Sequence, residues 1–537
     1  MTETRQCQNC RNSFVIEPDD FQFYEKIQVP APTFCPKCRM QRRFAWRNER
    51  TLHRNVCWKS GKKIISGFAP DSGMTVYDRD LWWSDDWDPL EFGQEYDFSR
   101  PFFEQWSELF RRVPEPAVFN TRTINCDYTQ YTGNMKDAYL VSASWGGENL
   151  AYAARAHFTK DSFDVFAVAN CELCYEDVVT AKSVRLFFSQ NCDGCIDSMF
   201  LYDCRGCSNC IACANLRNKQ YCIFNFPYTK DEYRRKLKEL NFGSYRNLQE
   251  VKKRFEELKA KSIRRYANLV NCRNVTGDNV LNTANCLTCF DVSGDTKDCK
   301  FIQNGADRLL DSYDGYGVGA KVELLYEAID SGVQGSRECF CATVYGCNDA
   351  YYCFNCHGCG NIFGCIGLRN KEYCILNKQY DKETFTQLRG KIISHMDEMP
   401  YVDKKGIIYK YGEFFPMALS PFAYNDTVAQ EYFPLTKEQA IEQGYRWKDP
   451  EERNYKIQIP NDQLPDNIRD VKDDIINKVI QCSHAKFNIR TSDVPNIDVN
   501  FRTSDVQKLE PTCNEQCTTA FKIIPDELQF LRKMNLP

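Results

Sequence analysis

The sequence has few histidines and no long apolar stretch. Five histidines among 537 residues are too few for the histidine-rich sites typical of catalytic zinc. Nowhere do about 18 apolar residues run together, as a membrane helix requires. The first residues also lack the basic and then apolar segments of a secretion signal. We therefore expect a soluble, cytoplasmic protein that does not bind membranes.

Signatures of common enzymes are missing too. The sequence contains no P-loop, GxSxG, HExxH or Rossmann fingerprint. Its 69 Lys and Arg residues nearly balance 73 Asp and Glu residues, which argues against a uniformly basic coat for nucleic acid but permits a local basic stripe. These absences favour a non-enzymatic protein. An enzyme on a surface for which no residues can be named stays an alternative.

Cysteine is the residue that the sequence has in excess, with 30 of them. In a secreted chain such a number would indicate a disulfide framework. In a reducing cytoplasm we expect the same thiols to be metal ligands, small buried apolar groups or redox centres.

Two CxxC motifs near the start predict a structural zinc ribbon. Cys7 and Cys10 form the first, and Cys35 and Cys38 form the second. Each CxxC turn presents two sulfurs to one ion, and Zn²⁺ accepts four ligands in a tetrahedron. Zinc is therefore the cofactor that we expect.

The C-terminal residues repeat part of this module. Residues 517–537 align without gaps to residues 10–30, but no second CxxC follows them. The second ribbon is either truncated, with only Cys513 and Cys517 as ligands, or it borrows two more. The nearest spare ligands are Cys482 and His484, which would complete a Cys₃His site.

The middle of the chain contains a duplication with a finer period inside it. CRGCSNCIACANLRNKQYCIFN, from Cys204, matches CHGCGNIFGCIGLRNKEYCILN, from Cys356, and cysteines within both copies recur at intervals of twelve residues. A short fixed period predicts a β-solenoid in which the cysteines form an inward ladder. Twelve residues are either one coil or half of a two-sided coil. The CxxC pairs of these units could instead hold metal. The twelve-residue intervals are Cys192 to Cys204, Cys195 to Cys207, Cys210 to Cys222, Cys341 to Cys353, Cys353 to Cys365 and Cys347 to Cys359.

A run of arginines follows the second CxxC motif. They recur every three or four residues, so a helix would place them on one face. This is the strongest positive patch in the sequence, and it predicts contacts with the phosphates of a nucleic acid. The alternative is a solvated face, or one paired with acidic residues between Asp85 and Asp97. The arginines are Arg39, Arg43, Arg47, Arg50 and Arg54.

Four segments together resemble a group of bacterial proteins. They are CPKCRMQRRFAWRNERTLHRNVC, WWSDDWDP, SRPFFEQ and LRNKQYCIFN. In these segments, and over most of its length, the chain resembles cysteine-rich zinc-ribbon proteins predicted from genomes of uncultivated bacteria. The resemblance implies a complete ribbon at the C-terminus and carries no assigned activity.

We predict a mixed, β-rich fold and a zinc-stabilised interaction or scaffold protein, whose partner is a nucleic acid or another protein. The alternative is a redox or metal-handling protein that uses CxxC pairs in the solenoid units. The sequence leaves the oligomeric state open. The predicted domains are a zinc ribbon with a basic segment (1–58), an aromatic-rich connection (59–125), solenoid unit I (126–228), a helical spacer (229–268), solenoid unit II (269–380), an α+β region (381–481) and a partial zinc ribbon (482–537).

Overall fold

The computed structural model describes residues 2–449, 456–483 and 519–537. Strands make up 36% of it and helices 25%, which confirms the β-rich class. Two compact units are present: unit 1 comprises residues 1–135, 141–143 and 264–448, and unit 2 comprises residues 136–140, 144–263 and 449–537. The domain boundaries drawn from the sequence stay a prediction.

Unit 1 opens with two antiparallel hairpins, each closed by a turn that starts with a cysteine. The first pairs Glu3–Gln6 with Ser13–Ile16, and the second pairs His53–Val56 with Lys63–Ser66. The other short strands of this unit, outside its parallel stack, are Val76–Tyr77, Glu115–Pro116, Asn120–Thr121, Ile124–Asp127, Gln130–Gly133, Tyr401–Val402 and Ile408–Tyr409.

The helices of unit 1 enclose an aromatic core. In the helix Phe102–Arg112, Trp106 is fully buried and its ring stacks on that of Phe415, with 4.3 Å between the ring centroids. Trp46 packs on Trp106 edge to face, an arrangement that aromatic pairs favour. The α-helices are Pro18–Lys26, Pro36–Phe44, Arg79–Trp83, Phe102–Arg112, Lys382–Glu398, Val428–Tyr432 and Lys437–Glu442, with 3₁₀ turns at Pro70–Ser72, Pro89–Phe92, Met417–Leu419 and Tyr424–Asp426.

Unit 1 also contains a series of short strands that pair in parallel, one above the next, here called the second stack. Residues that pair between successive parallel strands lie 13 positions apart around Tyr313 and Tyr326. From Ser336 onward they lie 12 positions apart. Its strands are Leu269–Val292, Thr296–Ala306, Leu309–Gly319, Val322–Glu323, Tyr326–Ile329, Ser336–Ala342, Asn348–Tyr351, Gly360–Phe363, Glu372–Ile375 and Lys378–Gln379.

Unit 2 contains the first stack. Its parallel partners lie 12 residues apart, as for Ile196 and Ser208, the same interval that separates the cysteines. The strands are Lys136–Tyr139, Ser142–Trp145, Glu148–Ala151, Ala154–His157, Lys160–Phe163, Phe166–Ala169, Val178–Ala181, Val184–Phe187, Gln190–Asp193, Ile196–Tyr202, Ser208–Ala214, Gln220–Ile223 and Phe226–Pro227.

The remaining elements of unit 2 follow the first stack. Ile480–Gln481 and Ala520–Phe521 pair antiparallel. The helices Lys230–Leu240 and Tyr245–Lys261 match the predicted helical segments after the first stack, and the third helix is Pro525–Met534. 3₁₀ turns lie at Asn461–Gln463, Ile468–Asp470 and Asp473–Asn477.

Corners with positive φ turn the chain at very short intervals in the first stack. Every third residue from Asn149 to Asn191 has a left-handed backbone, including bulky residues such as Val179. Such a conformation costs an L-residue roughly 1–2 kcal/mol. Twelve residues therefore contain four corners, and the strands between them must supply the compensating hydrogen bonds.

Small polar side chains that point inward complete this hydrogen bonding. The Ser183 hydroxyl donates to the carbonyl of Ala181 and accepts the N–H of Cys195, 12 residues downstream. In the second stack the Cys347 thiol donates to the Tyr345 carbonyl and accepts the Cys359 N–H. Inward serine and cysteine thus satisfy backbone groups that the strand ladder leaves unpaired.

Candidate metal centre

Four cysteines of unit 1 form a compact thiol cluster, here called the ribbon cluster. The Sγ atoms of Cys7, Cys10, Cys35 and Cys38 all lie within 4.8 Å of one another, and Cys10 and Cys35 are 3.7 Å apart. Four sulfurs bound to one Zn²⁺ at about 2.3 Å would be separated by roughly 3.8 Å. The four predicted ligands therefore meet at one point, with a spacing that fits a tetrahedral ion.

Local structure holds each half of the ribbon cluster in place. The Cys7 N–H donates to the Asn12 carbonyl across the first hairpin, while Cys35 is the N-cap of the helix Pro36–Phe44. The Asn9 side-chain amide donates to the Cys38 sulfur at 3.3 Å. A hydrogen bond from the Cys38 thiol lowers the pKa of Cys35 to about 5, which favours the thiolate that a metal requires.

The helix Pro36–Phe44, here called the arginine helix, continues directly from this cluster. It ends at Phe44, so a single helical face cannot carry all five predicted arginines. Arg39, Arg43 and Arg47 are at most 3% exposed. The predicted contact with phosphates is therefore wrong at these three positions, and so is the alternative of a solvated face, because their guanidinium groups are buried against carboxylates of unit 1.

The carboxylates come from distant parts of the sequence. Asp314 and Glu327, which lie on successive coils of the second stack, are fully buried and share Arg43 at 3.2 Å each. Arg42 contributes to the same network. The predicted acidic partners between Asp85 and Asp97 are not used, and the buried pairs are Arg39 with Asp314, Arg42 with Glu327 and Glu413, and Arg47 with Glu49 and Asp330.

Two predicted arginines remain at the surface. Arg50 is exposed and lies 3.8 Å from Glu431, and Arg54 is an exposed residue of the second hairpin. They lie beyond the end of the arginine helix. Contact of these two residues with nucleic acid stays a prediction.

The predicted C-terminal ribbon lies only in part within the described residues. Cys482 follows the strand Ile480–Gln481, and its N–H donates to Thr519 at the start of the partner strand. Cys7 has the same place in the first hairpin. Cys513, Cys517 and His484 lie outside the described residues. Of the four ligands in the predicted Cys₃His site, the structure therefore describes Cys482 alone, and the site stays a prediction.

The sequence analysis missed a third cysteine turn, in the second hairpin. Cys57 accepts the Asp78 N–H at 3.2 Å. Burial alone would raise its pKa, but hydrogen bonds from Ser60 and from backbone N–H groups bring the pKa of this thiol below its ordinary value. The signal in the sequence is CWKS between two short strands, in which Ser60 stands where Cys10 stands in the first ribbon.

Comparisons with known proteins found no match among protein-family models, curated proteins or solved structures. Among the described residues, no helix is both long and apolar enough to cross a membrane. The function must therefore be argued from the ribbon cluster and the two stacks themselves.

Proposed function

We propose that this chain is a zinc-stabilised interaction protein, in which one Zn²⁺ bound by the ribbon cluster holds a rigid scaffold together. The observation that carries the proposal is the convergence of four thiols within 4.8 Å at the start of the arginine helix. Thiolates in a tetrahedral set favour zinc over hard cations.

Zinc in this place would act through the arginine helix. Cys35 and Cys38 lie in its first turn, and the buried guanidinium groups of Arg39 and Arg43 follow immediately. Those groups neutralise Asp314 and Glu327, which would otherwise be buried charges without partners. The metal would thereby stabilise the second stack as well as the ribbon.

We further propose that the two stacks are the duplicated solenoid units predicted from the sequence, each with its own ribbon. Phe23 of the first ribbon stacks on Tyr313 of the second stack at 3.9 Å. Phe530, which aligns with Phe23, packs on Phe163 of the first stack at 4.8 Å. The resemblance to bacterial zinc-ribbon proteins and a cytoplasmic location belong to the same proposal, since free buried thiols suit a reducing compartment.

A second candidate function is metal handling inside the first stack. Cys192 interacts with Cys195 and Cys204, and Cys207 interacts with the same two thiols and with Cys210. Their ligand atoms do not all lie within 4.8 Å of one another, as those of the ribbon cluster do. The Cys195 thiol also donates to backbone carbonyls, which supports the scaffold over the metal site.

Metal analysis of the purified chain tests both candidates. We expect about one zinc per chain from the ribbon cluster, or two if the C-terminal ribbon is complete. Cys38→Ser should lower the stoichiometry by one, and Cys126→Ser, at a half-buried cysteine outside all clusters, should leave it unchanged. Unchanged zinc in Cys38→Ser would reject the proposal. Extra metal that is lost in Cys207→Ser would favour the second candidate.

A further inference from the structure

The two ends of the second stack differ in how they are closed. At the downstream end, Glu372–Ile375 pairs with the antiparallel strand Lys378–Gln379, and the helix Lys382–Glu398 follows, with Phe385 packed on Tyr373. At the upstream end, Leu269–Val292 is the last strand in the strand order. Among the described residues, no strand pairs with the outer edge of its first coil, residues 269–279.

The apolar interior of the stack is open at this upstream end. Cys286 and Cys289, which point inward one coil further on, are fully buried, whereas Cys272 and Val275 are only partly covered. Val270 is 47% exposed. Solenoid ends that present an uncovered core and an unpaired edge invite another chain to pair with them.

The backbone groups at this edge have a defined direction. Throughout the stack, the N–H of a left-handed corner donates to a carbonyl of the preceding coil, as Asp330 does to Tyr316 and Asn355 to Ala342. Asn271 and Asn274 are the left-handed corners of the first coil. Their N–H groups therefore point toward a coil that the stack does not contain.

Side chains at the same edge repeat this polarity. The Asn271 amide donates to Asn282 on the next coil at 2.9 Å, and the Asn274 amide donates to Asn285 at 3.3 Å. Because the Nδ2 atoms of Asn271 and Asn274 donate to the next coil, their Oδ1 atoms face the open side, where they can accept hydrogen bonds. A strand added there would continue both the backbone ladder and the amide ladder.

Charge distinguishes between possible occupants. Residues 264–279 contain one acidic residue, Asp278, whereas Arg264 and Arg273 supply two positive charges. Arg264 and Arg273 are exposed. A second copy of this chain would bring the same positive end against itself, so self-association is disfavoured, whereas an acidic segment is attracted.

We propose that the upstream edge of the second stack is a docking site for an extended acidic polypeptide segment of another protein, which adds to residues 269–279 as a further strand. Main-chain hydrogen bonds would supply affinity, and apolar side chains at alternate positions would cover Cys272 and Val275. The inference rests on the proposed interaction function. Its test does not depend on metal content, so the two can fail separately.

The test is binding of a labelled short peptide that alternates valine with glutamate, followed by fluorescence anisotropy. We expect saturable binding that Arg273→Glu weakens about fivefold, since the reversal replaces an attractive surface pair by a repulsive one. Arg308→Glu makes the same charge change on an interior coil of the stack and should have no effect. The same peptide with methylated backbone nitrogens should not bind, because it cannot continue the ladder.

Three results would overturn the proposal. The first is no binding of the valine–glutamate peptide to the wild-type chain, whose fold circular dichroism would verify. The second is equal binding of the peptide and its methylated form, which would indicate charge attraction alone. The third is a different occupant of the edge. If the peptide does not bind, and Arg273→Glu abolishes either self-association of the chain or its binding of a short single-stranded RNA, the edge belongs to that other partner.

Discussion

One short helix packs on each stack, but the two stacks differ in what surrounds them. Pro18–Lys26 places Phe23 on the second stack, and Pro525–Met534 places Phe530 on the first. In unit 1 the chain then supplies Cys35, Cys38 and the arginine helix. In unit 2, by contrast, the buried carboxyl of Asp177 in the first stack accepts the Ser189 N–H, and no arginine of the described residues is paired with it.

This difference indicates how a metal site can be coupled to a stack. The second stack contains Asp314 and Glu327, which burial makes costly and which the arginine helix neutralises. Burial raises the pKa of Glu327, although Arg42 and Arg43 oppose that shift. Unit 1 should therefore depend on its metal and its arginines, whereas the first stack should fold on its own hydrogen bonds.

Loss of the ribbon cluster should have the largest effect. Cys38→Ser removes one of four ligands, and zinc contributes on the order of 10 kcal/mol to small zinc modules. We expect unit 1 to unfold at much lower temperature in a calorimetric scan while unit 2 keeps its transition. A single, unshifted transition in Cys38→Ser would contradict the contrast between the units.

Removal of one buried arginine should have the next largest effect. Arg43→Met leaves Asp314 and Glu327 short of a partner and should cost unit 1 about 3–5 kcal/mol of unfolding free energy, measured by urea titration. Arg50→Met is the matched control, because Arg50 is at the surface, and it should change stability by about 0.5 kcal/mol or less. Equal effects of the two changes would show that the buried network is unimportant.

The equivalent phenylalanines allow the units to be compared directly. Phe23→Ala and Phe530→Ala each remove a buried ring and should cost about 3–5 kcal/mol. Limited proteolysis should show the loss in the second stack for Phe23→Ala and in the first stack for Phe530→Ala. The same fragments from both variants would argue against one ribbon helix per stack.

A buried carboxyl gives the first stack a smaller, pH-dependent response. Asp177 is fully buried and accepts the Ser189 N–H at 2.8 Å, and burial raises its pKa well above the ordinary value. The folded state keeps the proton that the unfolded chain releases, so the stability of unit 2 should fall as pH rises above the ordinary aspartate range. Asp177→Asn should reduce this fall above about pH 4, whereas Asp197→Asn, at an exposed pair, should not.

Features that depend on neighbouring residues could be predicted from the sequence. The two CxxC turns were predicted correctly, because each sets its own sulfur positions. Phe102, Trp106 and Phe110 recur at helical spacing in the sequence, and all three side chains are buried on one face of the helix Phe102–Arg112. Asn and Asp are residue types that suit tight corners, and Asn191 and Asp203 both have left-handed φ.

Features that depend on distant residues could not. Arg39 and Asp314 are 275 positions apart, and nothing near either residue indicates the pairing. The spacing of arginines in a sequence does not show whether their partners are phosphates or buried carboxylates. The left-handed corners at Leu173 and Val179 could not be predicted from the sequence either, because bulky and β-branched residues normally avoid that conformation.

The central claim is that metal in the ribbon cluster stabilises the second stack through the arginine helix. Hydrogen exchange with and without a zinc chelator tests it most directly. We predict that chelation removes amide protection from the arginine helix and from strands 296–319, and leaves the protection of strands 178–214 in unit 2 unchanged. Unchanged protection of strands 296–319 after verified metal removal would contradict the account.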